Sequence, residues 1–285
     1  MKFSFSHFIF CMNVSYKHKV GLILFICAHL TVNAQRSDFF STSAFSASMG
    51  GAISSVEGSA AVFTNGVQLL EENGNNIIAN AEVKFSSFEF QSVGIGYFRA
   101  NRNRNIFGAT IQKLGISSAS FLKLGVIYAR QLSVKNSLGI NFYYNAWRII
   151  GYESNNYLSY AISFKHTFTE NITLGVQLWN LAPYRINVFE RTSTDTRFFT
   201  QIKINSMVRT DLEYHYSFAN QSGCNFGLAY SPIKNLEARI GISTQPSYFT
   251  LGFAILLNEK SKIEIGTPSF TPLGLSPAMS YSQAF

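Results

Sequence analysis

Asp211, Glu213 and His215 form the one stretch in which acid and imidazole groups recur at a fixed spacing. A carboxylate set against a histidine suits general acid–base chemistry, because the acid orients the imidazole and stabilises its cation. If the stretch is a strand, alternate residues share one face, and Asp211 and His215 stand about 13 Å apart at ~3.3 Å per residue. They cannot bond to each other, so a dyad would need a partner from a neighbouring strand. Beyond position 34 the only histidines are His166 and His215 and the only aspartates Asp38, Asp195 and Asp211, too dispersed for a metal site. No glycine-rich phosphate loop stands between a strand and a helix. No catalytic residue, metal or cofactor is expected, and the Asp211 face reads as a polar wall.

The other charges follow the same spacing. Glu237 with Arg239, and Lys262 with Glu264, are opposite charges two residues apart. Together with Lys123, Lys165 and Arg209 they suggest an interior crossed by salt bridges, because charge inside a membrane barrel must be paired or hydrated. A charged path for a substrate head group is the functional alternative. Arg99, Arg102 and Arg104 form the densest basic stretch, which reads as a solvated turn. No nucleic-acid partner is expected.

The elements that would position these charges are strands. From Leu236 to Ile265, apolar residues alternate with small or charged ones in three runs, broken at Gln245-Pro246-Ser247 and Asn258-Glu259-Lys260. A period of two places successive side chains on opposite faces, and tight turns between such runs make an antiparallel meander. The pattern persists from Asn76 onward. It is weak near 76–86, 88–99 and 103–114, then sharpens, with only a short strand expected around Phe226, Leu228 and Tyr230. Fourteen strands of about ten residues result, the length a tilted strand needs to cross a bilayer. The fold class expected is all-β, a transmembrane antiparallel barrel over residues 75–285.

Composition agrees with that reading. Only 13% of the 285 residues are charged, and the 47% hydrophobic fraction is too low for a bundle of membrane helices. A barrel needs just one apolar face per strand. Residues 1–34 read as a signal peptide, with Lys17 to Lys19 as the basic region, Val20 to Ala28 as the apolar core and Val32-Asn33-Ala34 as the cleavage site. Cleavage there leaves Cys224 as the sole cysteine and 20 basic against 15 acidic residues, a balance of +5. An intramolecular disulfide is thereby excluded. The expected location is the outer membrane, with its lipid as the surrounding partner.

Turn lengths alternate as well. Short turns carry Asn136, Asn171, Asn205 and Asn235, while Leu114 to Ser120, Ile149 to Asn156, Ala182 to Asp195 and Thr267 to Ser276 read as longer loops. Short turns at one end and long loops at the other are the polarity of an outer-membrane barrel. The chain closes on Phe285, four residues after Tyr281, which resembles the terminal signal of such barrels.

Residues 35–74 carry no strand period. Met49-Gly50-Gly51-Ala52 and Ser59-Ala60-Ala61-Val62-Phe63-Thr64-Asn65 are dominated by small residues. They read as short helices and turns that plug the barrel, with room made by strand glycines such as Gly139, Gly241 and Gly252. These two motifs, with Thr271-Pro272-Leu273-Gly274-Leu275 and Met279-Ser280-Tyr281, resemble the FadL-like barrels, especially the PorV/PorQ group of Bacteroidetes. Gly66-Val67-Gln68 replaces that group's Pro-Ala-Gly, and no histidine precedes the Leu273-Gly274 pair.

The resemblance implies a 14-stranded barrel with an N-terminal plug whose motif residues are Met49, Gly50, Gly51, Ala52 and Asn65. It implies a role as an accessory of type IX secretion or surface attachment, with a secretion-system or secreted-protein partner. The alternative is a passive channel for a hydrophobic small molecule. Within the strand from Tyr248 to Leu257, Leu251 and Phe253 are expected to face lipid and Thr250 and Gly252 the lumen. Lysine at Thr250 is accordingly expected to cost much less than lysine at Phe253, unless it clashes with the plug.

Overall fold

The computed structural model describes residues 43–285, apart from 88–89, 102–103, 152–153, 182–193 and 218–221. The expected signal peptide, residues 35–42 of the expected plug and most of the loop from Ala182 lie outside the described residues.

Alternation becomes strands throughout. They are β1 (Gly74–Val83), β2 (Gln91–Asn101), β3 (Asn105–Gly115), β4 (Ala119–Gln131), β5 (Asn136–Ile149), β6 (Asn155–Thr169) and β7 (Ile172–Trp179). The second half holds β8 (Asp195–Lys203), β9 (Val208–Ser217), β10 (Gly223–Ile233), β11 (Leu236–Thr244), β12 (Ser247–Asn258), β13 (Ser261–Phe270), β14 (Gly274–Leu275) and β15 (Ala278–Ala284). Each of β1 to β13 pairs antiparallel with the next, β15 pairs with both β13 and β1, and the sheet closes. Fourteen strands make the wall, and the two-residue β14 is an extra piece folded onto the end of β13. Closure removes every edge strand, which is what allows a sheet to sit in hydrocarbon.

The faces sort as the alternation requires. On β12, Leu251 and Phe253 are 53% and 40% exposed while Thr250 is 1% exposed. Phe107, Val126, Leu158 and Ile240 are among the large apolar side chains exposed around the outside. A soluble monomer does not carry an apolar surface of that extent, and lipid is the solvent that suits it.

Several expected boundaries need correction. β10 is a full-length strand, not a short one, with Gly227 on its inward face leaving room for Met49 of the plug. Residues 84–86, expected at the end of the first strand, form a 3-10 turn in which Phe85 and Ser86 have positive φ, so β2 begins only at Gln91. The loops expected over Leu114 to Ser120 and Thr267 to Ser276 are mostly strand, because β3 runs to Gly115, β4 starts at Ala119 and β13 runs to Phe270. One link at the long-loop end is only Gln245 and Pro246. Loop lengths are therefore sorted by end in part only.

Residues 43–73 run inside the barrel. They comprise helix α1 (Ala44–Ser48) and 3-10 turns at Gly58–Phe63 and Gly66–Glu71. The Ser43 hydroxyl caps α1 by accepting a bond from the Ser46 N–H (3.2 Å). Phe45, Met49, Val56, Val62, Phe63 and Leu69 of this segment are buried in one cluster with Ile78, Phe98, Ile106 and Ile127 of the wall. The hydrophobic core of this protein is thus the contact between plug and barrel.

Candidate functional site: the plugged lumen

Gly50 and Gly51 show why the plug motif is built of glycine. Their φ values are +68° and +74°, a region that disfavours side chains. A Cβ on Gly50 would also strike the carbonyl oxygens of Phe226 and Ile242, and one on Gly51 the hydroxyl of Tyr248. Backbone meets backbone here, since Gly241 of β11 faces Met49 and Gly50 with no space for a methyl group. The Gly50 N–H donates to the Thr250 hydroxyl (2.8 Å), and the Ala44 N–H to the Ser280 hydroxyl (3.0 Å). Met49 and Ala52 are fully buried.

Glu213 is the principal polar anchor. Its carboxylate accepts the Ile53 and Ser54 N–H groups (3.0 and 2.6 Å), the Asn225 amide (3.1 Å) and an Arg197 guanidinium N–H (3.1 Å). Two plug amides with no partner in the segment itself are satisfied by one buried anion. Asn65 braces the plug from within by donating to the Ser54 carbonyl (2.6 Å). The Thr64 carbonyl in turn accepts from Asn141 (2.9 Å) and Gln177 (2.8 Å), and the Ser55 carbonyl from Gln201 (3.0 Å).

The remaining charges pair along the same side. Arg209 forms an ion pair with Glu57 of the plug and lies 3.6 Å from Asp211. Lys165 reaches Glu71 (2.9 Å) and Gln68 (3.3 Å). Arg239 bonds Glu237 and, at 2.8 Å, Glu264, which Lys262 also contacts at 2.8 Å. The Arg239 guanidinium sits 4.3 Å above the Phe45 ring, where a cation meets the negative face of the π system. Lys123 is held differently, with its ammonium 4.1 Å from the Tyr143 ring centroid and that ring stacked on Trp179. His215 is buried on the same face as Asp211 and Glu213, and no hydrogen bond joins it to Asp211 among the described residues. The arrangement is a clamp on a segment of backbone.

The lumen therefore has two unlike sides. Strands β5 to β13 hold the plug by charge and amide groups, and β1 to β4 present Ile78, Phe98, Ile106 and Ile127 to Val62 and Phe63. A cavity of about 280 Å³ opens at the short-turn end. Glu72, Asn76, Glu237, Lys260, Lys262 and Glu264 line it, so it is a charged mouth and not an apolar groove. Burial holds the Glu72 carboxyl above its usual range, against the opposing pull of Lys262.

Sequence reasoning passed over Arg197, Asn225, Gln177, Gln201 and Tyr143 as site residues. Each sits at an inward position of a regular alternation, and that parity was their only signal.

Fold and lumen together define a closed antiparallel barrel of fourteen strands with an internal N-terminal plug. That architecture is shared with solved structures of hydrocarbon channels. A TodX monoaromatic hydrocarbon channel lacking segments S2 and S3 matches with a TM-score of 0.71 at 12% identity, over 87% of this chain and 100% of that one. The Pseudomonas putida toluene transporter TodX gives 0.69 at 12% identity, over 88% and 100%. The Ralstonia pickettii toluene transporter TbuX gives 0.66 at 10% identity, over 85% and 98%. At such identities the likeness is one of fold. No protein-family model and no curated protein matches the chain.

Proposed function

We propose that this chain is an outer-membrane barrel of the FadL-like class that passes hydrophobic small molecules along a route its N-terminal plug closes. The observation that carries the reading is an apolar patch on the inner wall of β1 to β4, beside polar inward residues such as Asn80, Thr110 and Gln112. Inward residues of membrane barrels are ordinarily polar, because they meet water. Ile78, Phe98, Ile106 and Ile127 instead form an inward apolar patch that packs with Val62 and Phe63. Withdrawal of those two side chains would leave a surface suited to a hydrocarbon and hostile to a sugar. Pairing is continuous from β1 to β5, so a side opening there has no support and the plug is the gate. The hydrocarbon channels that share the fold support the same reading.

An accessory role in type IX secretion or surface attachment, implied by the resemblance of the plug motifs, has no further observation behind it and stands second. Uptake decides between them. Cells making the protein should take up the apolar fluorophore N-phenylnaphthylamine faster than vector controls, with no matching gain for a disaccharide, and Phe63→Ala should raise that rate further. Unchanged uptake in both the native protein and Phe63→Ala would defeat the channel reading.

A further inference from the structure

The basic stretch that reads as a solvated turn gains Arg130 as a neighbour in the fold. Arg99 is exposed on the outer face of β2, with Tyr97 two residues further into the wall. Its register partner on β3 is Phe107, and that of Phe107 on β4 is Tyr128. Two residues beyond Tyr128, the exposed Arg130 pairs with Asn105. Between the two strands lies Arg104, whose carbonyl accepts the Gln131 N–H (3.0 Å). Arg130, distant in sequence, thus shares one foot of the barrel with Arg99 and Arg104. Arg99 and Arg130 stand about 10 Å apart laterally at ~4.8 Å per strand.

None of the three has an acidic partner among the described residues. Directly above them, Phe107 and Tyr128 pack ring to ring (4.8 Å), with Tyr97 and Phe107 exposed. Aromatic side chains on the outside of a barrel mark the level of the lipid headgroups. Guanidinium groups at that level meet phosphate, which they bind in bidentate fashion with little loss of preorganisation. The same rim also carries Lys135, Lys234 and Lys260 against Glu170 and Glu259, so the excess of positive charge extends around this end.

We propose that Arg99, Arg104 and Arg130 form a binding site for the phosphate headgroup of an anionic phospholipid in the leaflet reached by the short turns. The acyl chains of that lipid lie against Tyr97, Phe107 and Tyr128. The site rests on the membrane placement proposed above, and co-flotation of the same preparation with vesicles tests that placement separately.

The experiment uses the full-length barrel, purified in detergent, and counts retained lipid by native mass spectrometry after exposure to phosphatidylglycerol or phosphatidylcholine. The native protein should keep phosphatidylglycerol in preference to phosphatidylcholine by about tenfold, a preference expected of a clustered basic site. R99Q/R104Q/R130Q should lose that preference, and K234Q/K260Q, on the same rim, should keep it. Glycerol phosphate at the concentration of the lipid should not displace it, because the rings hold the chains. Heat-modifiable migration on gels checks that every variant is folded. The proposal is overturned if the arginine variant keeps the preference or if the lysine variant loses as much. It is also overturned if glycerol phosphate strips the lipid, which would mark a site for free phosphate.

Discussion

Glu213 is the anionic anchor for the plug backbone. It is fully buried, and it neutralises Arg197 while accepting two plug amides. Replacing it with alanine removes the anion from three kinds of donor at once. Breaking a buried ion pair in this way costs about 3–5 kcal/mol. Glu213→Gln keeps an acceptor for the amides and should cost less. Because the β-ladder of the wall is untouched, the loss should fall on the plug. A cysteine at Ala61, in a Cys224→Ser background, should be inert to maleimide in the otherwise native protein and reactive with Glu213→Ala. Inertness in both would mean that the apolar contacts of Val62 and Phe63 hold the segment unaided.

At the scale of the element, β12 shows that two faces of one strand can be equally intolerant for different reasons. Phe253→Lys would place a charge in hydrocarbon, at a cost of about 2–4 kcal/mol near the membrane midplane. Thr250 faces inward, where lysine is expected to be cheap unless it meets the plug. The structure brings the plug against it. The Thr250 hydroxyl accepts the Gly50 N–H, and the adjoining Gly252 has Ser48 against its Cα. A lysine at 250 has no room and removes an acceptor from a buried amide, which together cost about 2–5 kcal/mol by overpacking and an unsatisfied donor. Both variants should therefore lose folded barrel to a similar degree in heat-modifiable gel migration. A mild effect of Thr250→Lys would mean that the plug leaves this strand easily.

For the whole molecule, the placement of its ends is the matter to test. The turns bearing Asn136, Asn171, Asn205 and Asn235 all lie at one end of the barrel, the end at which the plug enters β1. An exported chain that inserts from the periplasm would leave that end inside. The product should fractionate with the outer membrane, and its N-terminal sequence should begin at Gln35. On whole cells, an impermeant thiol reagent should label a cysteine at Thr194 and spare one at Asn235, with Cys224 removed. Reversed labelling would invert the topology, and a soluble product would end the membrane reading.

The wall of this protein was legible in its sequence because a strand's period is local. Leu251 and Phe253 against Thr250 declare two faces with no knowledge of any neighbour, and fourteen such runs imply closure, since an open sheet of that kind leaves edges in lipid. The alternation likewise placed Asp211, Glu213 and His215 on one face and left open what each would meet there. That Glu213 binds plug amides, that Arg209 takes Glu57, and that Arg130 joins Arg99 and Arg104 at one foot are facts of register and of chain passage between residues 26 to 160 positions apart. Whether lysine at Thr250 would meet the plug was left open for the same reason. Local periodicity decides which way a side chain points; only the tertiary fold decides whether water, lipid or another stretch of the same chain is waiting there.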